Sequence, residues 1–538
     1  MLNFYTELLF SIFTFFIVKL SFAQLHQKQF NEDIVKVSGG FIRGVTNPET
    51  DIRHFWGIPY AQSPVGDLRW RAPQPVKTWN GIRDANKFGP KAMQKFIFTD
   101  MRFRTDSMSE DCLYLNVWTP ANSSTANLPV LVYFFGGGFI AGDGSEWRYD
   151  GESLAQKGIV VVTVNYRLGI FGFFSYPALT KESPHHSSGN YGLLDQQAAL
   201  EWVHQNIAAF SGNPDHITIG GESAGSISVF AQMASPLSRH LIAGAIGESG
   251  AMINPTLPAI SLDSAERMGE AFAKKVGANS LKALRAIPAE KLLDESFATK
   301  MVQWPAIVDG YFLPQSPLKI FEEGKQAYIP LLVGWNSTES PYQGLMRGKM
   351  PTPENYEAIV RSLYRKNTEE ALKLFPGNNE EEVIRSATRL ASDRFIVYST
   401  WKWAELQRLT GEQPVYRYNF GKARPPMVDA KEEKNSSMPP PLKGAEHSWE
   451  IEYALGNLST NKTYAWTPDD YKVSAIMEDY FANFIKTGNP NGIALPKWTG
   501  NMKGEPVMVM HINVQSELEP EQHLEQFQFL DKLYGAGE

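Results

Sequence analysis

One stretch constrains this chain more than any other: residues 216–230, His-Ile-Thr-Ile-Gly-Gly-Glu-Ser-Ala-Gly-Ser-Ile-Ser-Val-Phe. A β-branched run enters Gly221-Glu222-Ser223-Ala224-Gly225, and a helix-like pattern leaves it. That is G-x-S-x-G in the strand–turn–helix setting of a nucleophile elbow. Such a turn holds Ser223 at a strained backbone position. Gly221 and Gly225 let strand and helix pass close together where a Cβ would clash. The hydroxyl then stands clear of the sheet, and the Ala224 amide points at the same spot from a helix N-terminus. With 43 glycines in the chain a bare match would carry little weight, so context decides. The nearby Ser249, in Gly-Glu-Ser-Gly-Ala, and Ser153, in Gly-Glu-Ser-Leu-Ala, both break the pattern.

Around the elbow, strand-like and helix-like segments alternate. Residues 110–118, 128–135, 159–167, 328–336 and 414–420 read as strands, several apolar throughout as expected when both faces are covered. Residues 195–210 read as an amphipathic helix, with Leu200, Trp202, Val203 and Ile207 at helical spacing. Residues 33–60 form an irregular β region punctuated by proline. The expected fold class is α/β: a large, mostly parallel central sheet flanked by helices, with a small N-terminal β region. Despite 538 residues, we expect a single domain over 24–538.

The bulk numbers exclude some classes of function. Net charge is -7 with no basic block, so nucleic acid is not an expected partner. An apolar run from Leu8 to Val18 and the triplet Ser21-Phe22-Ala23 before Gln24 read as a signal peptide over 1–23, implying a secreted or periplasmic protein. The n-region lacks Lys and Arg and carries Glu7; the competing reading is a short membrane anchor, which Lys19 interrupts. No other segment is apolar enough to span a membrane. Cys112 is the only cysteine, which rules out an intramolecular disulfide and a cysteine-based metal site.

A serine needs a base, and the base needs an orienting carboxylate. Of the ten histidines, only His447 follows a strand end in a glycine-containing loop beyond a candidate acid. That acid is Glu339, three residues past a strand. Ser223, Glu339 and His447 obey the Ser, Asp/Glu, His chain order of α/β-hydrolases. Gly136-Gly137-Gly138 ends a buried strand and suits close backbone approach to a ligand, so its amides are candidates for the second half of an oxyanion hole. A plain tight turn is the alternative.

These motifs together resemble the type-B carboxylesterase family, which includes carboxylesterases and cholinesterases. The resemblance covers nearly the whole chain after residue 23. It is carried by Gly57-Ile58-Pro59-Tyr60-Ala61, Glu110-Asp111-Cys112-Leu113-Tyr114-Leu115-Asn116, Gly136-Gly137-Gly138-Phe139, Asn165-Tyr166-Arg167, the run 189–196, Gly221-Glu222-Ser223-Ala224-Gly225 and Gly444-Ala445-Glu446-His447. It implies an α/β-hydrolase fold, Ser223 as nucleophile, Glu339 as acid, His447 as base, and the amides of Gly137, Gly138 and Ala224 as oxyanion donors. It also implies a small-molecule ester substrate cleaved through an acyl-enzyme, with no metal or organic cofactor. Three departures stand out. Ala92 replaces the cysteine that usually pairs with that of Glu-Asp-Cys, leaving Cys112 a buried, inert thiol. Phe135 stands where His or Tyr often precedes the glycines. Residues 93–111 offer Phe96, Phe98 and Phe103 but no Trp for a quaternary ammonium, against choline specificity. The alternatives are a lipase acting on aggregated lipid and a catalytically silent adhesion member. Glu222 and Ser249 stand open between support of the triad and plain packing, and Asn122, Asn336, Asn435, Asn457 and Asn461 begin glycosylation sequons.

Overall fold

In the computed structural model, residues 33–120, 126–429 and 438–535 are described. The expected signal segment 1–23, Asn122 and Asn435 lie outside them. The centre is an eleven-stranded sheet. Val160–Val164, Leu128–Phe134, Gly212–Glu222, Gly244–Glu248, Leu331–Asn336, Val415–Phe420 and Met508–Ile512 lie side by side in that order, each parallel to its neighbour. Antiparallel strands flank them: Glu517–Pro520 at one edge, then Tyr114–Thr119, Arg53–Pro59 and Val45–Thr46 at the other. A separate three-stranded sheet, Ile34–Val37, Gly40–Arg43 and Ile82–Asp84, makes the small N-terminal β region.

Valine-rich Val160–Val164 is buried at every residue because helices cover both sheet faces. Helix Ala224–Ala234 is likewise buried along its whole length. Its Phe230 stacks on Phe321 and meets Trp403 edge-on. Trp403 lies so close to the sheet that a Cβ on Gly247 would come within 2.3 Å of its ring.

The helix expected over 195–210 differs from the reading. It runs Tyr191–Asn206 and ends in a 3-10 turn, Ile207–Phe210. Its polar residues divide: Glu201, His204 and Gln205 are exposed, as an amphipathic helix requires, whereas Asp195, Gln196 and Gln197 are buried. Asp195 is fully buried in a two-pronged pair with Arg167, at 2.8 and 2.7 Å, and Gln196 donates a 2.9 Å bond to Ser228. Polar residues at helical spacing here serve buried hydrogen bonds, which pattern alone does not distinguish from exposure.

The chain passes from Leu128–Phe134 to a neighbour on one side, Val160–Val164, and then to Gly212–Glu222 on the other. This reversal opens a crevice beyond the carboxyl ends of Leu128–Phe134 and Gly212–Glu222, where open α/β sheets bind ligands. The triple glycine and Ser223 follow those two ends.

Candidate active site

Ser223 sits between strand Gly212–Glu222 and helix Ala224–Ala234 with φ 54 and ψ -119. A positive φ is costly for a residue with a Cβ and persists only where neighbours hold it. Its amide donates to Glu248 O at 2.8 Å, and its carbonyl accepts from Ile227 N at 2.9 Å. The two glycines serve as the sequence requires: a Cβ on Gly225 would lie 2.0 Å from Phe134 O, and one on Gly221 2.6 Å from the Gly225 backbone.

Glu339 follows strand Leu331–Asn336 and is buried. Its Oε1 accepts from Asn336 N at 2.7 Å and from the Ser249 hydroxyl. Its Oε2 lies 2.7 Å from His447 Nδ1. The same strand end grips the loop carrying the ring. Thr338 N donates to Ala445 O at 2.9 Å, Ala445 N to Ser337 Oγ at 3.0 Å, and Asn336 Nδ2 to Glu446 O at 2.8 Å. Acid and histidine, 108 residues apart in the chain, are thus fixed by one cluster of bonds.

The other ring nitrogen, Nε2, lies 3.2 Å from Glu222 Oε1, the carboxylate next in sequence to Ser223. Among the described residues the Ser223 hydroxyl has no hydrogen bond to His447; both side chains line the same cavity. Hydrogen bonds of this kind often tighten only with substrate bound. Burial pulls the imidazole pKa down, but the charges of Glu222 and Glu339 outweigh it and raise His447 to about 9. Burial lifts Glu222 to about 8 against the pull of His447. Phe395, on the π-helical turn Asp393–Val397, meets the His447 ring edge-on at 4.8 Å.

Gly137 and Gly138 follow strand Leu128–Phe134 with φ of 106 and 63, and Ala224 opens its helix. Among the described residues none of these three amides has a protein acceptor, and a helix-opening amide has none within its own helix. Gly137, Gly138 and Ser223, the residue before Ala224, line a cavity of about 750 Å³, within the usual range for a small-molecule site. Phe98, Met101, Ile140, Ile227, Leu257 and Ile396 give it apolar walls. His447 is the one histidine among its lining residues; His54 pairs with Glu152 and His185 stacks on Tyr311 at 3.6 Å. Phe135 is buried on Tyr166, with ring centroids 4.3 Å apart, and is not part of the lining.

Sequence reasoning missed two buried carboxylates near the site. Glu450 accepts from Asn336 Nδ2 at 2.5 Å, and burial lifts it to about 7. Burial pushes Glu248 well above the carboxylate range, and it accepts from Tyr133 OH at 3.0 Å. Glu450 lies three residues past His447, and Glu248 directly precedes Ser249; only the fold makes them neighbours of one site. Cys112 is buried and its thiol pushed up by burial. With Ala92 it lines a small void of about 10 Å³. Asn336 and Asn457 are buried and hydrogen-bonded, so neither sequon is open to glycosylation in the folded chain. Among the described residues no group of three His, Cys, Asp or Glu side chains could hold a metal ion, and no helix is long and apolar enough to cross a membrane.

The sequence matches the family described as the carboxylesterase family over residues 31–530. It is 34% identical over 489 residues to the pyrethroid hydrolase Ces2e of Rattus norvegicus, covering 86% of this chain and 82% of that one. It is 33% identical over 488 residues to the fumonisin B1 esterase of Sphingopyxis macrogoltabida, covering 85% and 83%. A solved PNB esterase superposes with a TM-score of 0.77 at 31% identity, covering 92% of this chain and 99% of the other. A match over almost the whole length, carried on an α/β-hydrolase sheet, places this chain in the carboxylesterase family as a hydrolase of carboxylic esters.

Proposed function

We propose that the hydrolysis runs through Ser223 as nucleophile, His447 as general base and then acid, and Glu339 as the group that orients the ring. The observation that carries this is the 2.7 Å contact of Glu339 Oε2 with His447 Nδ1 at the wall of a cavity also lined by Ser223. With Nδ1 held by the carboxylate, a neutral imidazole presents a free lone pair at Nε2. A turn of the ring from Glu222 toward the hydroxyl lets Nε2 take the Ser223 proton as Oγ attacks the ester carbonyl. The carbonyl π electrons move to oxygen, where the amides of Gly137, Gly138 and Ala224 receive the charge. Collapse expels the alcohol, protonated by His447, and leaves an ester on Ser223. Water, deprotonated by His447, attacks that ester; the acid departs and the serine proton returns.

Apolar side chains make much of the wall, and the lining arginines Arg148 and Arg424 are paired with Glu146 and Glu452, which supports an uncharged small-molecule ester over a highly charged one. We assign residues 24–538 to one catalytic unit and residues 1–23 to an export signal, and hence the enzyme to the outside of the cytoplasm. The test is an ester panel of soluble short-chain esters and emulsified long-chain esters, run on the chain from residue 24 and on Ser223→Ala. Turnover of soluble esters that Ser223→Ala loses by at least about 10⁴-fold is expected. Activity retained in Ser223→Ala removes the assignment; activity confined to emulsions favours a lipase.

A further inference from the structure

His447 is gripped from one side by the Glu339 segment. On its other side stands Ser448, at φ 68, a left-handed position that a serine holds only under restraint. Two arginines from distant parts of the chain meet there. Arg424 Nη2 donates to Ser448 O at 3.1 Å, and Arg148 Nη1 approaches Ser448 Oγ at 3.4 Å. Neither arginine side chain is more than 3% exposed, and both line the cavity.

Each is anchored by its own buried carboxylate. Arg424 Nη2 lies 2.8 Å from Glu452 Oε2, and its Nη1 donates to Tyr464 OH at 3.1 Å. The Arg148 Nε pairs with Glu146 Oε1. Asn457 Nδ2 pins the backbone at Arg148 O and Asp150 O, at 2.9 and 2.8 Å. Arg148 Nη1 also donates to Asp100 Oδ2 at 3.0 Å. Asp100 lies in the segment from Phe98 to Met101 that lines the cavity. One guanidinium therefore touches both a substrate-facing segment and the residue after the histidine.

Buried ion pairs contribute little net stability, because desolvation of both charges offsets their attraction. Two of them converging on one strained serine are better explained by what they hold. Resting on the reading of His447 as the base, we infer that Arg148 and Arg424 are positioning residues: they clamp Ser448, fix the reach of the imidazole toward Ser223, and through Asp100 tie the cavity wall to it. Neither exchanges a proton with substrate.

The test uses the charge-neutral pairs Arg148→Met with Glu146→Gln and Arg424→Met with Glu452→Gln, which strand no buried anion on the anchoring side. Arg148→Lys and Arg424→Lys serve where a pair fails to fold, since a lysine keeps the charge but cannot present a planar fork. Measured are kcat and KM for an acetyl and a butyryl ester, normalised to sites that react with a fluorophosphonate, together with Tm. A clamp on the base predicts kcat lower by about 10- to 100-fold on both esters, with KM within about twofold. A rise in KM at constant kcat would show that the arginines bind substrate. A fall in Tm with kcat per reactive site unchanged would show that they only stabilise the fold. Either result overturns the clamp and leaves the triad standing. Wild-type protein that turns over ester without reacting at Ser223 removes the triad instead, and the clamp with it.

Discussion

Glu222→Gln isolates the charge beside the proposed base without changing the shape of the side chain. The carboxylate is 2% exposed and 3.2 Å from His447 Nε2. Two unit charges at that distance attract by about 5 kcal/mol at an effective dielectric of about 20. Burial of both partners offsets part of this, and an opposite charge at such range shifts a pKa by about one to three units in practice. The sign follows from which form works. His447 accepts a proton only when neutral; burial favours that form, but the Glu222 and Glu339 charges outweigh it and raise the pKa to about 9. In the wild type, kcat/KM therefore climbs with pH through the apparent pKa of the His447–Glu222 pair, a value that belongs to both groups. The neutral amide of the variant withdraws one attraction from the imidazolium and leaves the burial penalty, so the acid limb moves to lower pH by about one to three units. The assay is kcat/KM from pH 5 to 10 on a soluble ester whose leaving group does not titrate in that range. A limb that moves by less than about 0.3 unit, or upward, in folded protein refutes the electrostatic coupling.

Three further outcomes follow from single contacts. Ser249→Ala removes the hydroxyl that donates to Glu339 Oε1 and leaves only Asn336 N there; kcat should fall by about 5- to 30-fold, the equivalent of about 1–2 kcal/mol, and an unchanged kcat would make Ser249 a packing residue. Gly225→Ala drives a methyl to 2.0 Å from Phe134 O, so strand and helix must part at a cost of about 3 kcal/mol, seen as a lower Tm; an unchanged Tm contradicts the close-approach argument. Ala92→Cys, facing the void shared with Cys112, should form a disulfide under oxidising conditions and add about 3 kcal/mol of stability; thiol titration finding both cysteines free would contradict it.

The elbow was readable because its constraints are local: adjacent residues supply the strand, the turn, the hydroxyl and the close-packing glycines. Glu339 and His447 were readable as candidates for a different reason, the chain order that an α/β-hydrolase sheet imposes on groups beyond successive strand ends; the structure brings these two side chains into contact. What stayed hidden is what only tertiary structure assembles. Nothing in the spacing of Glu146, Arg148, Arg424 and Glu452 marks them as two ion pairs converging on Ser448. Glu248 and Glu450 carry no local sign of burial, yet the fold leaves both without solvent exposure. The π turn Asp393–Val397 sits between helices Glu380–Ser392 and Tyr398–Thr410, and only the folded chain shows that it brings Phe395 to His447. The burial of Asp195 and Gln196 at the start of Tyr191–Asn206 has the same origin, since a hydrogen-bonded interior and water accept the same side chains.

The central claim is that Ser223 is the nucleophile activated by His447. Peptide mapping by mass spectrometry after reaction with a fluorophosphonate addresses it directly. One adduct is expected, on Ser223, formed with loss of esterase activity and suppressed in His447→Ala. An adduct on another residue, or inhibition with Ser223 unmodified, would contradict it.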